Sequence, residues 1–208
     1  LVGYSLARRD QDTVDVHRLV QAATCRAMSG EVRHARAGTL VRLLCGMLPA
    51  DIERNPDAWP VWRVYLPHIT TVLGHTDADA TSDGLSWLCD RTATYLREHG
   101  QPVAALPLFE RALAIAEAVY GPDHPEVAAA LNNQALALQD LGRAADALPL
   151  FERALAIAEA VYGPDHPTAA TRLNNQALAL QDLGRAADAL PLFERALAIA
   201  EAVYGPDH

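Results

Sequence analysis

The sequence predicts an all-α fold in which helix pairs stack as a solenoid, and three observations carry that expectation. Residues 106–147 recur almost letter for letter as 148–189, and a third copy starts at Leu190 and runs to His208. Within each copy the apolar residues fall at helical spacing. Gly-Pro-Asp-His-Pro then punctuates every copy in the same place. A repeat of 42 residues is one supersecondary unit stacked on the next, and such arrays present an extended binding surface.

In the first helix of the unit, Leu131, Ala135 and Leu138 lie on one side, and Leu141-Gly142 closes the segment with the residue suited to a helix terminus. In the second helix Ala147, Phe151, Ala154 and Ala158 recur at i, i+4, i+7 and i+11, with Leu148, Leu155, Ile157 and Val161 beside them. A helix apolar over most of its circumference is packed between neighbours. Pro149, about one turn in, forfeits one backbone hydrogen bond and predicts a mild bend rather than a break.

After Tyr162, Gly163 to Pro167 supplies a helix stop, a rigid turn and a proline for the next first turn. Asp165 and His166 recur as Asp123/His124 and Asp207/His208. One such pair per repeat gives no cluster of three or four ligands, so helix capping accounts for them and no metal site is expected.

The two full copies differ only at Glu126/Thr168, Val127/Ala169, Ala129/Thr171 and Ala130/Arg172. Cores tolerate far more drift, so recent duplication explains the identity. A worn earlier copy places Ala93, Leu96, Gly100 and Ala105 under Ala135, Leu138, Gly142 and Ala147. Three helix pairs are therefore expected, at about 84–120, 126–162 and 168–204.

Residues 1–82 do not repeat and are read as a separate unit. Tyr4 to Arg8, a polar turn at Arg9 to Asp12, and Thr13 to Val16 alternate as a short hairpin would. His17 to Met28, Glu31 to Leu48 and Asp57 to Leu73 then read as helices. Hairpin followed by helix is the tail of a winged-helix unit. Trp59, Trp62 and His68 are expected to pack this unit on the first repeat.

Composition bounds the function. The chain is 50% hydrophobic with a net charge of -9, so as a whole it repels nucleic acid and anionic lipid. Every basic residue is arginine, the bias of a GC-rich genome, which points to a high-GC bacterium. Without lysine there is no Gly-x4-Gly-Lys-Ser/Thr phosphate loop, and this segment should not hydrolyse ATP. No catalytic constellation is legible. Cys25, Cys45 and Cys89 are odd in number and widely spaced, which implies no disulfide framework and a reducing cytoplasmic compartment. No apolar run reaches the ~18 residues that span a bilayer. The first residue is Leu1 and the last copy stops short, so a segment of a longer protein is expected. The final helix, 186–203, should expose an apolar stripe, and self-association through that uncapped repeat is the corresponding expectation.

The small-large-small signature Ala147, Phe151, Ala154 resembles the tetratricopeptide (TPR) repeat. Leu131 to Leu138 (Leu-Asn-Asn-Gln-Ala-Leu-Ala-Leu), with Ala147 to Leu155 (Ala-Leu-Pro-Leu-Phe-Glu-Arg-Ala-Leu) and Gly-Pro-Asp-His-Pro, is similar to the 42-residue kinesin-light-chain type. Gln134 and Gln176 depart from it, standing where that family usually has leucine. The resemblance implies a right-handed TPR solenoid whose first helices line a concave groove for a protein or peptide. It implies groove positions at Asp90, Arg91, Thr94, Arg97 and Glu98, at Asn132, Asn133, Leu136, Gln139 and Asp140, and at Asn174, Asn175, Leu178, Gln181 and Asp182. Amides dominate and suit an extended backbone. The second and third pairs carry no cation there, so an acidic carboxy-terminal tail is not the expected ligand.

Ser5-Leu6, Val14 to Gln21, Trp59-Pro-x-Trp62 and Leu66-Pro-His68 resemble the region that joins NB-ARC ATPases to their repeats in actinobacterial signalling proteins of the STAND class. By that resemblance Val16-His17-Arg18 matches the motif whose histidine senses the nucleotide β-phosphate, since an imidazole N–H can donate to a phosphate oxygen. The alternative for His17 is a partly buried residue at a helix start. No cofactor is expected in this segment, and ATP or ADP would belong to the full-length protein. Three functions stay open: the sensor arm of a STAND-type ATPase, a stand-alone peptide-binding adaptor, and the regulatory arm of an AfsR-like transcription regulator.

Overall fold

The computed structural model describes residues 7–10, 13–16, 24, 26–53, 55–76 and 80–205. Strands β1 (Ala7–Asp10) and β2 (Thr13–Val16) pair antiparallel, with Ala7 opposite Val16 and Asp10 opposite Thr13. Arg9 and Asp10, expected in the turn, are thus strand residues. The helix expected over 17–28 lies largely outside the described residues, as does His17.

Helix α1 (Gly30–Met47) starts where the Ser29 hydroxyl accepts the Val32 amide at 3.3 Å, and it stops just before Leu48-Pro49. A short 3-10 turn, Pro56–Ala58, leads into α2 (Trp59–His75). Pro67 sits inside α2, and the hydroxyls of Thr70 and Thr71 donate to the carbonyls of Leu66 and Pro67 at 3.0 and 2.8 Å. Those bonds engage carbonyls of the turn where the proline weakens the backbone ladder.

Three helix pairs follow: α3 (Asp83–Glu98) with α4 (Pro102–Tyr120), α5 (Pro125–Asp140) with α6 (Ala144–Tyr162), and α7 (Pro167–Asp182) with α8 (Ala186–Tyr204). Each hairpin turns on a glycine. Gly142 has φ 71°, and the Arg143 amide reaches back to the Leu138 carbonyl at 2.9 Å, which closes α5 as a Schellman cap. Gly163 at φ 94° ends α6. His166 then caps α7, its ring Nδ1 accepting the Thr168 amide at 3.2 Å, and Pro167 occupies the first turn. His124 does the same for α5. Helix α6 runs unbroken through Pro149.

Ala147, Phe151 and Ala154 are wholly buried, so the small residues let helices approach while the phenyl ring fills the layer between them. The core is a chain of such layers. At the amino-terminal end one cluster joins Val41, Leu44, Trp62, Ile69 and Val72 to Leu88, Cys89, Tyr95 and Ile115 of the first pair. Trp62 is fully buried, stacks on Tyr95 with ring centres 5.9 Å apart, and donates its indole N–H to the Pro49 carbonyl at 3.1 Å. Trp59 meets His99 edge-on at 4.7 Å. Both tryptophans therefore weld α2 to the first pair, whereas His68 is exposed beside Tyr65. At the other end α8 leaves Leu190, Leu197, Val203 and Tyr204 exposed.

Candidate peptide groove on the inner face

The first helices of the pairs lie closer together than the second helices. Short side chains bridge them: Asn133 Nδ2 donates to Asp90 Oδ1 at 2.9 Å, and Asn175 Nδ2 donates to Asn132 Oδ1 at 2.8 Å. Between the second helices the link requires long side chains, Arg153 with Glu117 at 2.6 Å and Arg195 with Glu159 at 2.7 Å. A stack in which one side is narrower curves toward it, so α3, α5 and α7 line the inner face. Farther along, Gln139 Nε2 donates to Asp182 Oδ2 at 2.5 Å.

This ladder divides the expected groove residues into two groups. Thr94 and Asn132 are buried at 1% and 4% exposure, which corrects their assignment to the accessible groove. Thr94 folds its hydroxyl onto the Asp90 carbonyl at 2.9 Å, and Asn132 holds the next repeat. Asp90, Asn133 and Asn175 are half-buried rungs. Asn174, Leu178, Gln181, Asp182, Asp140 and Glu98 are exposed, and Leu136 and Gln139 are partly so. The accessible polar groups thus cluster toward the third pair.

The cations at the first pair are not available as a clamp. Arg91 is held by Asp90 through Nε at 2.9 Å and Nη2 at 2.5 Å, and Arg97 is held by Glu98 at 2.7 Å and Glu53 at 3.3 Å. Desolvation pushes the Asp140 carboxyl above its ordinary range, Arg97 opposes that shift, and Glu98 adds to it. The face therefore offers exposed amides and carboxylates, with its cations Arg91 and Arg97 already paired.

The described cysteines and the linker histidines are tied into the fold. Cys89 is buried, and desolvation raises its thiol to about 11; Cys45 is raised for the same reason and donates to the Gly84 carbonyl at 3.3 Å. His124 and His166 stack on Tyr120 and Tyr162 at 4.5 and 4.9 Å while capping their helices. Among the described residues no group of three His, Cys, Asp or Glu side chains could hold a metal ion, and no helix is long and apolar enough to cross a membrane. Sequence reasoning missed Asp83, Trp87, Tyr120 and Glu126, which border a cavity beside Asp90 and Arg91. The signal that could have found it is the clustering of the differences between copies.

The tetratricopeptide repeat family model matches residues 85–143 and 126–202, more than half of the chain. Among solved structures the chain is similar to BtubC (BKLC) from P. vanneervenii, with 20% identity, a TM-score of 0.62, and coverage of 87% of this chain and 77% of that one. A putative kinesin light chain from Podosopora anserina with nearly identical TPR-like repeats matches at 19% identity and a TM-score of 0.55, covering 90% of this chain and 94% of that one. PlcR from Bacillus thuringiensis, solved with the peptide PapR7 and DNA, matches at 15% and 0.55, covering 89% of this chain and 62% of PlcR. No curated protein sequence matches the chain. The repeat signature, the three helix pairs and the family match lead to one conclusion: the chain belongs to the tetratricopeptide repeat family, with a fold like that of the kinesin-light-chain-type proteins.

Proposed function

We propose that this chain is a protein-interaction scaffold that holds an extended peptide segment against α3, α5 and α7. The observation that carries the proposal is the ladder Asp90–Asn133 and Asn132–Asn175, which fixes the inner helices at constant spacing while Asn174, Leu178, Gln181 and Asp182 stay accessible. Amide side chains both donate and accept, so they can pair with a peptide backbone of any sequence. PlcR, similar in fold, was solved with a peptide. Selection from a displayed library of random peptides tests the proposal. Selected peptides should lose binding to Asn174→Arg/Leu178→Arg; binders indifferent to that variant would contradict it.

We further propose that the scaffold is the sensor arm of a STAND-type (NB-ARC) signalling ATPase in the cytoplasm of an actinobacterium. Support comes from the resemblance at Val16-His17-Arg18 and around Trp59 to His68, and from the β1–β2 hairpin, which suits a winged-helix tail. His17 would sense the β-phosphate of ATP or ADP bound by the ATPase core, since an imidazole N–H can donate to a phosphate oxygen. Trp62, buried between α2 and α3, would relay a load on the groove toward that unit. On this proposal the segment itself is not an enzyme and meets neither nucleic acid nor membrane. Any residues encoded ahead of Leu1 test it: a Gly-x4-Gly-Lys-Ser/Thr loop there supports the ATPase arm, an added DNA-binding unit favours the AfsR-like regulator, and neither favours the adaptor.

A further inference from the structure

Of the four positions at which the two full copies differ, Glu126, Ala129 and Ala130 line one cavity of about 700 Å³ where the first and second pairs meet the end of α1 and the residues after it. Divergence in an otherwise identical repeat is thus concentrated at a single junction. Two aromatic side chains, Trp87 and Tyr120, and three carboxylates, Asp83, Asp90 and Glu126, border the same space. Arg91 is the one cation among the described lining residues, and Asp90 already neutralises it. Burial, and then the nearby Asp83 and Glu126 carboxylates, push the Tyr120 phenol above its ordinary range, and Glu126 has its backbone amide tied to His124 while its side chain stays exposed. The cavity is therefore aromatic-walled and anionic.

The next junction differs in the same register positions. There Arg172 replaces Ala130 and Thr171 replaces Ala129, while Tyr162 stands where Tyr120 does. Arg172 is only partly exposed, its Nε is buried with no hydrogen-bond partner, and burial lowers its basicity while Tyr162 and Glu53 oppose that shift. The counterparts of Asp83, Asp90 and Glu126 at that junction are Pro125, Asn132 and Thr168. One junction carries the chain's own partly buried guanidinium, and none of the three carboxylates recurs there. The other supplies the carboxylates and leaves the space open.

We infer that the cavity between α3 and α5 receives an arginine side chain of the peptide held on the inner face. A planar guanidinium stacks on Trp87 or Tyr120 and pairs with a carboxylate in a fork, which a lysine ammonium does less well. The inference rests on the peptide-groove proposal and narrows its partner to peptides bearing arginine.

The test is an NMR titration of the whole chain with N-acetylarginine amide, and with the neutral isostere N-acetylcitrulline amide, following the Trp87 indole signal. The arginine probe should shift it saturably, and citrulline should bind about tenfold more weakly or worse, the loss expected when a charge-assisted pairing is removed. Ala130→Arg should abolish the response while keeping the helical circular dichroism, because the third pair already carries arginine at that position. Equal responses to both probes, or an unchanged response in Ala130→Arg, would overturn the inference. Selected peptides that depend on Asn174 and Leu178 but not on Ala130 would overturn it while leaving the groove standing. A Trp87 response to arginine without any groove-dependent peptide would leave the cavity site standing and remove the groove.

Discussion

Asn175 donates from Nδ2 to Asn132 Oδ1 at 2.8 Å across the two repeats that are nearly identical in sequence. The bond lies where Asn132 is 4% exposed, so the amide has little access to water as a substitute. Asn132→Ala should cost about 1 kcal/mol or somewhat more, the range for a partly desolvated hydrogen bond. Asn174→Ala, exposed one residue before the rung, should change stability by less than ~0.5 kcal/mol. Urea denaturation of both variants, with hydrogen exchange over α7, checks the contrast.

Trp62 couples the amino-terminal helices to the repeats through a stack on Tyr95 and an indole bond to Pro49. Trp62→Ala should cost roughly 3–5 kcal/mol, the range for emptying a large buried aromatic site. Hydrogen exchange should show the loss first in α1 and α2, with α7 and α8 little changed, because repeat arrays couple mainly nearest neighbours.

Cys89 is protonated in the fold well beyond the ordinary thiol range, at about 11 against 9.0, because burial disfavours the thiolate. Below pH 9.0 the thiol is protonated in both states and has no effect on stability. Between 9.0 and about 11 the unfolded chain releases a proton that the folded chain keeps. Stability should then fall by up to roughly 1.4 kcal/mol per pH unit. Cys89→Ala should remove that part of the alkaline slope, measured as the difference between the two chains' denaturation midpoints.

Leu155 and Leu197 are the same residue of the repeat in different surroundings. Leu155 packs against the cluster of Leu173, Ala196 and Ile199, whereas Leu197 is 60% exposed. Leu155→Ala should cost about 2 kcal/mol or more and Leu197→Ala less than ~0.5 kcal/mol. Thermal denaturation of the pair checks it.

The helix pairs were legible because exact repetition carries its own punctuation. Gly142, Gly163 and Pro167 stand at the observed turns, and Ala147, Phe151 and Ala154 at the observed core. The inner face was legible as a set of helices but not residue by residue. Helical periodicity says that Asn132 and Asn133 are adjacent; it does not say that Asn132 turns into the junction to meet Asn175 while Asn174 stays in solvent. That distinction depends on the spacing of successive inner helices, a tertiary quantity. The cavity was hidden for a related reason, since Asp83, Tyr120 and Glu126 come from three different helices or their ends. Their grouping requires the first junction to be built.

Hydrogen–deuterium exchange of the chain with and without a selected peptide tests the central claim most directly. Residues 90–98, 132–140 and 174–182 of α3, α5 and α7 should gain protection, with α4, α6 and α8 unchanged. Protection confined to α4, α6 and α8 would contradict an inner-face groove.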